Sequence, residues 1–175
     1  MGIRPARSFR DPDKVAWTRY SRKKQNKNYI KAMTHRYLTN FRMGNKDGNY
    51  TIAYHLIAKN TYYHRDNALE AARKSANGFL EKKISGKYYF IINVYPHHII
   101  RENKMVAGAG ADRIQQGMRR AFGKPTHVAA LIEQGQKVFT IYTNEGNEEI
   151  IKESLNRASR KLSGNFKIVR EVLHG

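Results

Sequence analysis

At 175 residues the chain can form one domain with a packed core, and 33 Lys and Arg against 14 Asp and Glu leave it at +19, a charge that favours a polyanionic partner over a merely solvated basic surface. The absence of cysteine excludes disulfides, thiolate catalysis and cysteine-ligated zinc. No apolar run approaches the roughly 18–20 residues that span a bilayer, and the opening MGIRPARSFR lacks the apolar stretch of a signal peptide and the Ser or Thr of a myristoylation signal, so a cytosolic chain is expected.

In chain order, residues 1–50 hold 13 basic and three acidic residues, with Phe9, Trp17, Tyr20, Tyr29, Tyr37 and Phe41 interleaved and no sustained period. That pattern suits an RNA-binding arm over residues 1–49, in which cations neutralise phosphates and rings stack on exposed bases. Arg4, Arg7, Arg10, Arg19, Arg22, Lys23 and Lys24 are its candidate contacts. The rings have a second role open to them, tacking the arm to the body, expected first of Tyr37 and Phe41. The stretch from Arg22 to Asn28 is too polar to bury and is expected to order only on a partner.

After the turn-like residues 45–49, Tyr50–Ile57 reads as a strand. A helix follows, with Asn67 as its cap, Glu70 three residues on, and Leu69, Ala72, Ala76, Phe79 and Leu80 at helical spacing to about Lys83. Arg73 and Lys74 lie off that stripe, facing either RNA or solvent. Tyr88–Tyr95 reads as a central strand ended by Pro96.

The segment Arg101–Pro125 joins a polar, glycine-rich loop to a short arginine-bearing helix from Asp112 to Phe122. Ala107–Ala111 offers almost no side chain, so backbone N–H groups can approach phosphates, and a helix N-terminus adds positive potential. Gly117 sits in mid-helix on this reading, implying close backbone packing or close RNA approach. Val128–Ile132 and Lys137–Thr143, separated by residues 133–136, read as a hairpin. A helix over Asn147–Leu162, buried through Ile151, Leu155, Ala158 and Leu162, precedes a last strand, Phe166–Leu173.

Catalytic readings find little support. Gly108 and Gly110 lack the third glycine of a dinucleotide fingerprint, and no Gly-Lys-Ser/Thr follows. Adjacent His97 and His98 point in different directions, which suits surface or RNA contact better than a metal. Asp112, a carboxylate within the cationic segment, is read as a helix cap that orients Arg113.

Residues Ala111–Pro125, ADRIQQGMRRAFGKP, resemble the signature of the ribosomal protein family L-ten-e, the archaeal and eukaryotic counterpart of bacterial L-sixteen, and an archaeal chain in particular. The likeness extends to residues 3–7, 67–73, 95–97 and 101–105. Family membership implies a large-subunit protein without catalysis, docked on large-subunit rRNA near 5S rRNA and beside the corridor of aminoacyl-tRNA. It also implies that the loop matching 101–110 reaches toward tRNA, with Arg101, Asn103 and Lys104 as polar groups and Gly108 and Gly110 keeping it thin. His127 stands where the family usually has a small residue, and residues 20–40 are richer in Lys and Asn than the family pattern.

The expected fold is α+β: a two-layer α/β sandwich with a mixed, mainly antiparallel sheet, two long helices, one short helix and a basic N-terminal arm, in a single domain over residues 1–175. The candidate RNA contacts, besides the arm residues, are Arg73, Arg101, Asn103, Lys104, Arg113, Arg119, Arg120 and Lys124. The expected partners are large-subunit rRNA, 5S rRNA in the neighbourhood, transient tRNA and other large-subunit proteins, with no cofactor, metal, membrane or homo-oligomer. A free-standing RNA-binding regulator and an RNA-modifying enzyme are the alternatives.

Overall fold

The computed structural model describes residues 3–5, 7, 9–11, 30, 34–105, 117–119 and 121–173. The strands are β1 (Arg42–Gly44), β2 (Ile52–Ala58), β3 (Tyr62–Arg65), β4 (Tyr88–Ile92), β5 (His98–Glu102), β6 (Lys124–Ile132), β7 (Lys137–Thr143) and β8 (Phe166–Val172). The helices are α1 (Asp66–Ile84), between β3 and β4, and α2 (Glu148–Ser159), between β7 and β8. The α+β class and the two long helices are as expected; the short helix was placed largely on residues outside those described.

The sheet is two sheets. One has the order β1-β4-β7-β2-β8 and the other β3-β6-β5, and every pairing among the described strands is antiparallel. Parallel neighbours need long crossovers, and the helical connections here return the chain antiparallel to its neighbours.

In β2, Ile52, Tyr54, Leu56 and Ala58 join the main core, while Ala53, His55 and Ile57 occupy the opposite face by the period of two. Phe90 of β4 meets Phe139 of β7 edge to face, ring centres 5.4 Å apart. The helices close one face of this sheet. Leu69, Ala72, Ala76 and Leu80 of α1 and Ile151, Leu155 and Ala158 of α2 are fully buried, each set at the spacing of a single helical stripe. Small side chains let the helices approach, and the Ser154 hydroxyl donates to the Ala76 carbonyl at 3.3 Å.

Three expectations are corrected. The segments now identified as β6 and β7 do not form a hairpin: β6 pairs with β3 and β5, β7 with β2 and β4. The turn at 133–136 is stitched instead to the end of β2, with Gly135 N–H donating to Ala58 O at 2.8 Å and Ala58 N–H to Gln136 O at 3.1 Å. Here the chain changes sheets, carrying Ala130 and Ile132 into the main core.

Second, Asn67 does not cap α1. Arg65 holds the cap position without a side-chain bond, and buried Asp66 accepts from the backbone N–H groups of Tyr37 at 2.9 Å and Asn67 at 2.9 Å. Third, Gly117 has φ +56° and lies in a turn, a left-handed geometry incompatible with mid-helix. A Cβ there would meet no atom of the described residues within 4 Å.

Part of the N-terminal region belongs to the body. Leu38 is buried in the main core and β1 extends the larger sheet along β4. Phe9 packs on Tyr63, Ile100 and Ala129, and Ile30 packs on Ile99 and Val128. Of the two rings expected to anchor first, Phe41 packs against the core, whereas Tyr37 is 53% exposed.

Candidate nucleic-acid interface

The three-stranded sheet positions most of the described candidate cations. Tyr63 N–H donates to Arg10 O at 2.9 Å, Arg65 donates to Arg4 O at 2.7 Å, and the Arg65 guanidinium lies 5.9 Å from the centre of the Phe9 ring. Arg4, Phe9 and Arg10 are thus tied to β3 by one side-chain bond, one buried ring and one backbone bond, and the side chains of Arg4, Arg7 and Arg10 are exposed. The Arg10 guanidinium lies 5.5 Å from the Tyr62 ring centre, a contact that costs an exposed guanidinium little hydration.

The far end of the same sheet forms the neck of the Arg101–Pro125 segment. β5 and β6 pair Arg101 with Pro125 and Glu102 with Lys124, after a register shift between Ile100 and Arg101. Gly123, at φ +83°, makes this closure possible: a Cβ would stand 2.9 Å from the Glu102 carbonyl carbon. Arg101 donates to Phe122 O at 2.7 Å and its guanidinium lies 3.6 Å from the Phe122 ring centre. Asn103 donates to Gly117 O at 3.2 Å.

Arg101 and Asn103 are therefore not groups on a thin loop. Both are half-buried braces across its base, and burial lowers the proton affinity of Arg101 from the usual arginine range. Lys104, Met105, Met118, Arg119 and Phe122 stand exposed around them. Glu102 is the surprise, a buried carboxylate inside a cationic stretch. Arg4 approaches it at 3.9 Å. It also supports the charge of Arg65, against the larger effect of burial, which lowers that residue's proton affinity.

One end of one small sheet thus carries Arg101 and Lys124, with Arg4 beside Glu102. Because a single buried carboxylate offsets them only in part, the exposed cations present a positive concentration of the kind that binds phosphates. The sequence marks Glu102 by its position alone, an acid between Arg101 and Lys104.

Arg73 sits elsewhere. It donates to both Glu70 carboxylate oxygens, at 2.8 and 2.6 Å, and to Met43 Sδ at 3.2 Å, with its side chain 12% exposed. The pair lowers the Glu70 pKa and raises that of Arg73, the hydrogen bond being the main cause in each. Arg73 thereby fastens α1 to β1, with little reach outward. His97 and His98 do diverge: His97 leans on Tyr95 at 4.7 Å, and His98 meets Tyr63 edge-on at 5.1 Å. Arg19, Arg22, Lys23, Lys24, Gly108, Gly110, Arg113 and Arg120 lie outside the described residues.

Comparison with known proteins bears on the family. The sequence profile described as ribosomal protein L16p/L10e matches residues 17–169. The large ribosomal subunit protein uL16 of Methanococcus aeolicus is 41% identical over 170 residues, covering 97% of this chain and 94% of that one. The uL16 proteins of Archaeoglobus fulgidus and Staphylothermus marinus are each 41% identical, over 90% and 99% of this chain and 91% and 96% of their own. A profile match across most of the sequence, joined to near full-length likeness to archaeal relatives, makes this chain a member of the ribosomal protein L16p/L10e family.

Proposed function

We propose that the protein is a structural constituent of the large ribosomal subunit. It binds large-subunit rRNA through the cationic end of the three-stranded sheet and the N-terminal segment tied to that sheet. The observation that carries this reading is the convergence of Arg4, Arg101 and Lys124 on one neck, in a chain of net charge +19 and of this family. The chemistry is electrostatic and geometric, and no bond is made or broken. Membership also supports a finer reading, in which the neck faces 5S rRNA and the aminoacyl-tRNA corridor and Lys104 reaches toward tRNA.

The test is sedimentation of a tagged chain from its native lysate, with fractions probed before and after a high-salt wash. Salt-resistant presence in the large-subunit peak is expected. Presence only in light, RNA-containing fractions would favour the free-standing regulator, and a retained nucleotide in the purified protein would favour the enzyme.

A further inference from the structure

Apart from the neck, the described residues carry a second group of exposed rings, at the end of β4. Phe41 packs against the main core and accepts a backbone bond from Ile92 at 2.9 Å. Tyr95 stacks on Phe41 with centres 5.4 Å apart and planes 23° apart, and His97 leans on Tyr95 at 4.7 Å. The Arg36 guanidinium lies 5.0 Å from the Tyr95 ring centre and donates to the Tyr95 hydroxyl. Beside them His35 and Tyr37 stack at 5.5 Å with planes 16° apart, and the backbone of Tyr37 is pinned by Asp66.

Packing does not use up these rings: Tyr95 is 36% and Tyr37 53% exposed, and His35 and His97 are exposed as well. The stack is rooted in the core through Phe41 and positioned by buried Pro96, so its outer rings are ordered before any ligand arrives. We propose that Tyr95 and His97, flanked by Arg36 and Tyr37, form a stacking platform for an unpaired nucleotide of RNA, the base lying on the rings and its phosphate near Arg36. This inference rests on the rRNA-binding reading above and adds a site separate from the neck. Ring faces accept a base of any identity, and a guanidinium beside them supplies the charge that a phosphate needs. A partner protein docking by apolar contact would gain less, because Arg36, His35 and His97 are polar groups it would have to desolvate.

The experiment uses intact large subunits from the native cell. Ultraviolet crosslinking followed by mass spectrometry should find a nucleotide attached to Tyr95 or His97. In subunits carrying Tyr95→Leu with His97→Ala, base-specific chemical probing should show one local group of unpaired nucleotides becoming roughly 5- to 150-fold less protected, the span of one lost base–ring stack. Tyr95→Trp, with His97 retained, should keep the protection. A wild-type Tyr95–His97 peptide without a nucleotide, while peptides of the N-terminal segment do carry one, would overturn the platform and leave the rRNA reading standing. Crosslinking of that peptide to a neighbouring protein instead would also overturn it. Absence of the chain from the subunit would overturn both.

Discussion

Gly123 shows how much one residue can decide. Its positive φ and the 2.9 Å approach of a hypothetical Cβ to Glu102 act together, so Gly123→Ala should cost about 1–3 kcal/mol in chemical denaturation, through backbone strain and displacement of β5. Gly135 is the control: it shares the positive φ, but a Cβ there would meet nothing, and its substitution should cost less. His64 has a different signature. Burial lowers its pKa to about 4 from an ordinary 6.5, so the folded protein binds fewer protons than the unfolded chain between those values. The stability it supports is full above pH 6.5 and falls as the pH drops toward 4, by roughly 3 kcal/mol at most. Denaturation at pH 7 and pH 4.5 should show a smaller acid loss for His64→Phe than for the native chain.

Among the elements, α1 and α2 were legible in the sequence because each buries a stripe repeated at helical spacing, and Leu80→Ala or Leu155→Ala should cost about 2–5 kcal/mol in the same assay. β3 and β5 were not legible, since short strands lacking alternation are hidden by their neighbours: His98–Glu102 reads as the flank of a loop. The apparent hairpin misled for a physical reason. Turn residues between two apolar runs report a reversal of direction, but they do not tell whether the second run rejoins the first or finds a better neighbour. Here Thr140 of β7 bonds His55 of β2 at 3.0 Å, and His55 reaches Glu171 of β8 at 2.7 Å, a line across three strands with no partner for it in β6. Of the candidate cations, Arg4, Arg7, Arg10, Lys104, Arg119 and Lys124 are exposed, while Arg73 turns to Glu70, a residue that the sequence reads equally well as part of the helix cap. Arg73→Ala should lower stability and leave the salt dependence of RNA binding unchanged, whereas Arg4→Ala with Lys124→Ala should reduce the slope of log affinity against log salt by about 2.

At the scale of the whole molecule, charge and packing are divided. The last fifty residues hold seven basic and six acidic residues and supply β7, α2 and β8, whereas the first fifty hold 13 basic and three acidic. If some 6–10 phosphates are neutralised, affinity for isolated rRNA should fall by about 10³–10⁵ between low and moderate salt, and a flat filter-binding response would count against the rRNA reading. Lys104→Ala should leave subunit yield near normal and slow peptide formation; loss of subunits with full activity in the remainder would reverse that assignment. Arg101→Ala, by contrast, should reduce subunit yield, because it removes a brace from the neck. The paired base formed by Glu102 and Lys124 has a further consequence for how such a protein changes over generations. A segment closed at its root by strand register costs little to lengthen, each doubling adding only about 0.6 kcal/mol of closure entropy, while the body beneath keeps its shape. Length can thus vary beyond the Glu102–Lys124 pair without asking the core to fold anew.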